Sequence, residues 1–356
     1  MFKRLRESLF SKTVITVLLI LFVASVFFFW GWYVKQYNKL WGYYYVYKGD
    51  KFYHSGKLQK AIDNYNLGLK YYPEHSKARC NLGNIFVIYE DYLSAIENYE
   101  TALKYSPNFI ICRMNLGIVQ AEKLANYDAA IINYEKIIKS HPRIWWIPFI
   151  FNNKRSTKIN KGIAYYNMGL AYRGKSFAVA HDNVLATKYL QSSKESYQKA
   201  LKILKRDFDT QYNLALTDHL LKNYDEAGLN YCKAINLKPM QFEPHYNLAL
   251  LLRTLGYYQE SLEELEKAGL LIDSGGADPV KIKYIYDVLN DVNMRIIETR
   301  RGDFYYEIAD AKDQTTDLND AQEIIYANGK VKTDTGDSEA QILKTMRRCS
   351  SKVLFK

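Results

Sequence analysis

The side chains that most often do chemistry are sparse in this sequence and fall at unrelated spacings. Its four cysteines (Cys80, Cys112, Cys232, Cys349) lie far apart, with no CxxC pair and no metal-ligand spacing. The six histidines (His54, His75, His141, His181, His219, His245) form no HExxH and no pairing with the cysteines. A P-loop, a GxGxxG after a strand and a GxSxG elbow are all missing. Nucleophiles, metals and nucleotides need their groups at fixed spacings, so the pattern points to a protein that is not an enzyme and takes no cofactor or metal. One polar side chain does recur in register. It is the asparagine of NLG at Asn81 and Asn115, NMG at Asn167, and NLA at Asn213 and Asn247. Its amide offers one acceptor and two donors, enough to pair with both polar groups of a peptide unit.

A longer repeat holds these asparagines in place. AIDNYNLGLKYYP (Ala61–Pro73), AIENYETALKYSP (Ala95–Pro107) and AIINYEKIIKSHP (Ala130–Pro142) follow one another at spacings of 34 and 35, and AGLNYCKAINLKP (Ala227–Pro239) is a fourth copy. The second copy sets the pattern: small Ala95, aromatic Tyr99 four on, small Ala102 three later, and Pro107 five beyond. Small residues let two antiparallel helices approach closely, and the aromatic ring fills the remaining gap. Pro follows the second helix because it cannot continue one. With only 7 Pro and 18 Gly in 356 residues, turn-rich all-β architectures are disfavoured.

This pattern resembles the tetratricopeptide repeat family. The resemblance covers about two thirds of the chain, 42–275, and phases as repeats 42–75, 76–109, 110–144, 162–207, 208–241 and 242–275. It implies an all-α, right-handed α-solenoid of six helix pairs. Departures from 34 residues are one extra in repeat 3, 17 between repeats 3 and 4, and 12 inside repeat 4, the last assigned to an inter-helix loop at Gly174–Thr187. Repeat 6 departs most, with Ser261, Leu265 and Asp273 at the small, aromatic and Pro positions. In this family the first helix of each repeat lines a concave face. Resemblance to members with an asparagine ladder therefore implies that Asn81, Asn115, Asn167, Asn213 and Asn247 bind an extended peptide by its backbone; local packing is the other reading. The cationic clamp of chaperone-binding members has no counterpart. Val46 with Asp50, then Ile111 with Asn115, stand where its Lys and Asn, then Lys and Arg, would be, and a frame shifted by one repeat offers Cys80, Asn84, Ile163 and Asn167.

A solenoid must cover its last apolar face. Asp278-Pro279 is a helix start, and Ile282, Ile285, Leu289, Val292 and Ile296 recur at spacings of 3 and 4, giving a capping helix over 279–300 that stops near Gly302. Residues 303–356 are polar and mixed in charge, and are expected to be mostly disordered.

The first 12 residues carry Lys3, Arg4, Arg6 and Lys12 against Glu7, and residues 13–34 then run for 22 positions without a charge. A helix of that length reaches ~33 Å, enough for a hydrocarbon core of roughly 30 Å. Trp30, Trp32 and Tyr33 close the run, whereas a cleaved signal peptide would end in small residues. The reading is one N-terminal transmembrane helix that runs into repeat 1, which begins only about eight residues later. Positive charge ahead of the span leans towards a cytoplasmic N-terminus and a periplasmic solenoid on a bacterial inner membrane. Residues 1–40 supply +5 of the formal +11; the rest is spread widely, with no Arg-aromatic groove, so nucleic acid is not an expected partner.

The insertion 145–161 breaks the repeat with Trp145, Trp146, Phe149 and Phe151, followed by Lys154, Arg155 and Lys158. It reads as a partner-docking or membrane-surface loop, or as rings folded back on the helices. Together these features describe a membrane-anchored scaffold for protein partners, acting within a larger cell-envelope assembly such as a flagellar-motor collar or secretion-type machine. The alternative is a membrane-bound assembly factor or receptor for client peptides.

Overall fold

The computed structural model describes residues 2–140, 153–275 and 279–313. Among them every regular element is helical: thirteen α-helices and one π turn. In chain order these are α1 (Phe2–His54), α2 (Leu58–Tyr71), α3 (Ser76–Ile88), α4 (Tyr92–Tyr105), α5 (Ile110–Ile118), the π turn (Val119–Lys123), α6 (Tyr127–Lys139), α7 (Asn153–Ala178), α8 (Asn183–Leu204), α9 (Phe208–Leu220), α10 (Tyr224–Leu237), α11 (Phe242–Thr254), α12 (Tyr258–Gly275) and α13 (Pro279–Asp313). Helices α1 and α2, α3 and α4, α7 and α8, α9 and α10, and α11 and α12 pack as pairs. The chain forms two compact units, residues 1–133 and 134–356.

The sequence ends the first helix of repeats 1, 2, 5 and 6 in the same way. Gly56, Glu90, Lys222 and Gly256 stand at one repeat position and all take positive φ (72°, 60°, 61° and 81°), which reverses the chain for the second helix. In repeat 2 the next residue, Asp91, caps α4 by accepting the Ser94 N–H at 3.1 Å. Repeat 3 has one residue more than its neighbours, and the π turn accommodates it. A wider turn absorbs the residue inside the helix, and the positive-φ residue becomes Ala125, one place later.

Ring packing against a bare backbone holds each pair together. A Cβ on Gly49 or Gly83 would lie 2.6 or 2.5 Å from the ring of Tyr65 or Tyr99, and one on Gly169 would lie 2.6 Å from Tyr197. All three tyrosines are buried. In the last two repeats the small residue is Ala: Ala215 shares a core with Tyr231, and Ala249 with Leu265. Ser stands at the small position of the second helix in repeats 4 and 6. Its hydroxyl donates to the facing first helix, Ser193 to the Gly169 carbonyl and Ser261 to that of Ala249, both at 2.8 Å. The Ser261 departure therefore keeps the close contact and leaves no buried hydroxyl unpaired.

In the first unit, Val46, Ala61, Tyr65, Ala78, Leu82 and Ile85 form one core, and Cys80, Ala95, Tyr99, Ala102, Cys112 and Leu116 form the next. In the second, α13 lays Ile285, Leu289 and Val292 on Ala249, Leu265, Ala268 and Ile272, closing the apolar face of repeat 6.

Three boundaries differ from the sequence expectation. Helix α7 starts at Asn153, so the later part of the 145–161 insertion is helical, while 141–152, with Trp145, Trp146, Phe149 and Phe151, lie outside the described residues. The 12 extra residues of repeat 4 lengthen α7 and α8 and leave only 179–182 between them, in place of a loop at Gly174–Thr187. A single glycine costs a helix only about 1 kcal/mol, and the effective start signal is Asp182, which accepts the N–H groups of Val184 and Leu185 at 3.0 Å each. For the same reason Gly302 does not stop α13, which continues to Asp313. The remainder of the expected tail, 314–356, lies outside the described residues.

Helix α1 has two parts. Its apolar stretch is long and apolar enough to cross a membrane and is not buried in the protein; an anchor and a signal sequence both have this form. The same helix continues without a loop as the first helix of repeat 1, with one non-helical residue, Phe29, inside the apolar run.

Candidate partner-binding face

The recurrent asparagines sit on the first helices, and the amide N–H groups of Asn81, Asn115, Asn213 and Asn247 reach back to the preceding repeat. In the first unit Asp50 is the hub. Its Oδ1 accepts from the Tyr65 hydroxyl at 2.8 Å and from Asn81 Nδ2 at 2.9 Å, and Lys77 Nζ lies 2.6 Å from Oδ2. Burial, reinforced by the Asp50 carboxylate, pushes the Tyr65 phenol well above its ordinary range. One repeat later Asn84 takes the same place, accepting from the Tyr99 hydroxyl at 2.7 Å and from Asn115 Nδ2 at 2.8 Å.

The second unit ties the same asparagine differently. Asn213 Nδ2 donates to the Tyr166 hydroxyl at 3.3 Å and to the Asp209 carbonyl at 2.8 Å. Asn247 Nδ2 donates to the Tyr212 hydroxyl at 2.8 Å and to the Glu243 carbonyl at 2.9 Å. Burial, and then the charge of Glu243, push Tyr212 up to about 12, so it stays a neutral phenol. Asn167 is buried.

An amide whose donors are spent inside the protein cannot also clasp a peptide with them. The carbonyl oxygens of Asn81, Asn115, Asn213 and Asn247 accept no hydrogen bond among the described residues, so each offers an incoming chain one acceptor. The Asn side chains thus latch one repeat to the next and set the spacing of any binding face. Sequence reasoning offered packing as one reading of these asparagines but named no partner, because the partner lies 31 to 47 residues away and is of three kinds, Asp, Asn and Tyr. It also passed over the exposed apolar residues on first helices, Ile111 in the first unit and Ile163 in the second, as mere lost cations. The signal available was that both stand at the second place of their repeats.

A second recurrent contact fixes the turns between repeats. Arg79 donates to the Pro73 carbonyl at 3.2 Å and Arg113 to that of Pro107 at 2.7 Å, six residues back each time. His245 repeats it at 3.0 Å with Pro239, and its other ring nitrogen lies 2.6 Å from buried Glu264. Elsewhere in the second unit, buried Asp218 pairs with Lys194 at 2.7 Å and also accepts from Asn230 at 2.8 Å.

The repeats match the tetratricopeptide repeat pattern over residues 76–109, 208–239 and 242–268. Over these residues the chain carries tetratricopeptide repeats. No curated protein matches it in sequence. Among solved structures, the tetratricopeptide-repeat chain is similar in fold to PilF of Pseudomonas aeruginosa, at a TM-score of 0.50 and 15% identity, covering 67% of this chain and 92% of that one. PilW, described as a widely conserved type IV pilus biogenesis factor, gives a TM-score of 0.48 at 14% identity over 66% and 93% of the two chains. MamA from Desulfovibrio magneticus RS-1 gives 0.44 at 18% over 56% and 96%. Tetratricopeptide repeats bind protein partners.

Proposed function

We propose that the protein is a membrane-anchored scaffold whose tetratricopeptide repeats hold protein subunits of a cell-envelope complex at a fixed distance from the bilayer. One observation carries this reading: α1 runs without a loop from the apolar stretch into the helix that packs against α2. A flexible linker would let the repeats search for clients, whereas a continuous helix ties them to the membrane. The aromatic end of the apolar run favours a retained span over a cleaved leader. Positive charge ahead of the span favours a cytoplasmic N-terminus and repeats on the periplasmic side of a bacterial inner membrane. A flagellar-motor collar or a secretion-type machine is the kind of assembly such a scaffold serves.

The competing reading is a receptor that takes extended client peptides along the asparagine ladder, on the side-chain carbonyl oxygens that the inter-repeat contacts leave over. Cross-linking mass spectrometry on native membranes separates the two. A scaffold yields the same few subunits in fixed ratio, lost when 145–151 is deleted; a receptor yields many unrelated peptides cross-linked near Asn115 and Asn213. A reporter fused after Lys356 that works only in the cytoplasm would overturn the periplasmic assignment.

A further inference from the structure

Beyond the charge-free run, α1 does not turn polar on its outer side. Trp30, Tyr33, Tyr37, Leu40, Tyr44 and Tyr47 follow one another at alternating spacings of 3 and 4 and form one continuous stripe on the helix. The last four are 58%, 68%, 45% and 58% exposed. The opposite side of the same helix is the one buried in the protein. There Gly42 and Gly49 give α2 such close approach that a Cβ on either would meet Tyr72 at 2.5 Å or the Tyr65 ring at 2.6 Å, with Val46 buried between them. Repeat 1 is thus fully used on one side of α1, while the other side carries a row of large rings facing outward. Lysines border that row. Lys48 Nζ lies 5.0 Å from the Tyr44 ring centre, and Lys51 Nζ 4.9 Å from that of Tyr47. Trp41, half-buried beside the stripe, packs on Tyr37, Tyr44 and Tyr71 and stiffens it.

Resting on the anchor reading, we infer that the α1 stripe from Tyr37 to Tyr47, with Lys48 and Lys51, lies in the anionic headgroup layer of the membrane that the preceding stretch crosses. The stripe is continuous with the apolar run, so its occupant is the same bilayer. Tyrosine and tryptophan rings suit the headgroup zone, and lysine stems reach anionic phosphates from there. Geometry adds a condition. From Val34 to Tyr47 the helix rises ~20 Å, more than the headgroup layer is deep, so an upright α1 would carry Tyr47 clear of the lipid. The break in helical geometry at Phe29 (φ −108°, ψ 16°), inside the apolar run and just before the stripe, is where the helix changes direction. The segment beyond it then lies along the surface with Gly42, Val46 and Gly49 turned towards α2 and away from lipid.

The test uses the full chain in vesicles of phosphatidylcholine and phosphatidylglycerol doped with lipids brominated at graded depths. Two single-tryptophan forms are compared, each with the other four tryptophans changed to Phe, one keeping Trp30 and one keeping Trp41; circular dichroism verifies their helix content. The expected result is that Trp30 and Trp41 are both quenched, and most strongly by shallow bromines. Tyr37→Ser, Leu40→Ser, Tyr44→Ser and Tyr47→Ser together should then relieve the Trp41 quenching and leave that of Trp30 unchanged. If Trp30 is quenched while Trp41 is untouched by bromines at any depth, the surface contact is wrong and the anchor stands. A Trp41 emission shifted to the blue but unquenched would place a protein on the stripe, a second copy or another subunit, and likewise overturn it. No quenching of either tryptophan would bring down the anchor reading itself.

Discussion

The two units solve the same packing problem with different chemistry. In repeats 1 and 2 of the first, the ninth residue is polar, Asp50 or Asn84, and it accepts from both the buried tyrosine of its own repeat and the asparagine of the next. In the second, the ninth residue is Leu170 or Leu216, which cannot accept, and a tyrosine at the fifth place, Tyr166 or Tyr212, receives the asparagine instead. The fifth place of the first unit holds Val46 and Cys80, both buried and apolar. Polar and apolar residues have therefore exchanged places one helical turn apart. The exchange leaves the core tyrosine of the second unit without its usual partner. Tyr231 finds His219 Nδ1 at 3.3 Å, and the buried Tyr197 hydroxyl makes no hydrogen bond among the described residues. Ser193, close enough to be felt by that phenol, donates its proton to the Gly169 carbonyl instead. An asparagine latch can be conserved in geometry while its partner changes class, and the change shows up at a different residue.

The sharpest way to break this comparison is to give the first unit the second unit's residue. Asp50→Leu removes the acceptor for Tyr65 and Asn81 and should destabilise repeats 1 and 2 by about 2–3 kcal/mol, read from hydrogen exchange across residues 42–109. A loss under about 0.5 kcal/mol, the range of an ordinary surface change, would mean the hub contributes nothing.

Acid should separate the units next. His75 in the first and His219 in the second are both held below the usual 6.5 by burial, so each favours folding above that value and loses its contribution as the pH falls through it. Glu264 occurs only in the second unit. Burial pushes its carboxyl up, but hydrogen bonds and charge from His245 and Lys267 outweigh this, so it lies below 4.5. Its contribution is present above 4.5 and lost as the pH drops through and below that point. The first unit has a smaller counterpart in exposed Asp91, held below 3.8 by the Ser94 hydroxyl and N–H. Pulsed hydrogen exchange from pH 7 to pH 3 should show repeat 6 opening before repeats 1 and 2.

Smaller still is the difference between two identical substitutions. Tyr99→Phe deletes a hydrogen bond to Asn84 and should cost about 1 kcal/mol, whereas Tyr197→Phe deletes a hydroxyl without a partner and should be neutral or mildly stabilising. Urea unfolding of the two variants decides it. Equal losses would mean that Tyr197 has a partner too. The smallest effect is shared by both units. Glu90→Gly and Lys222→Gly relieve positive φ and should each gain up to about 1 kcal/mol in the same assay.

The helix pairs were legible because they rest on residue types that recur along the chain: a ring at Tyr65, Tyr99, Tyr197 and Tyr231 and a small residue facing it. Periodicity in sequence becomes periodicity in space at that point. The capping stripe around Ile285 and Val292 was legible for the same reason. The asparagine donors were not, because choosing between Asp50 and Tyr166 as partner depends on which side chain two helices bring together, and the polar ninth place and the tyrosine at the fifth gain that meaning only once the helices are packed. Helix ends failed where a single glycine was read as a stop, at Gly174 and Gly302. The extra residue of repeat 3 was visible as a count, while its location inside a helix required backbone geometry.

That residue also bears on how such a chain accumulates change. A codon gained in a connecting loop is easily tolerated; one gained within a helix should rotate every later side chain onto the wrong face. The wide turn at Val119–Lys123 confines the slip to five residues, so that Tyr134 still finds the buried place of a core ring one position late. Removing one residue within that turn is then a silent edit, restoring the register of the neighbouring repeats. The helix functions here as its own spelling correction, and insertions need not wait for loops to survive.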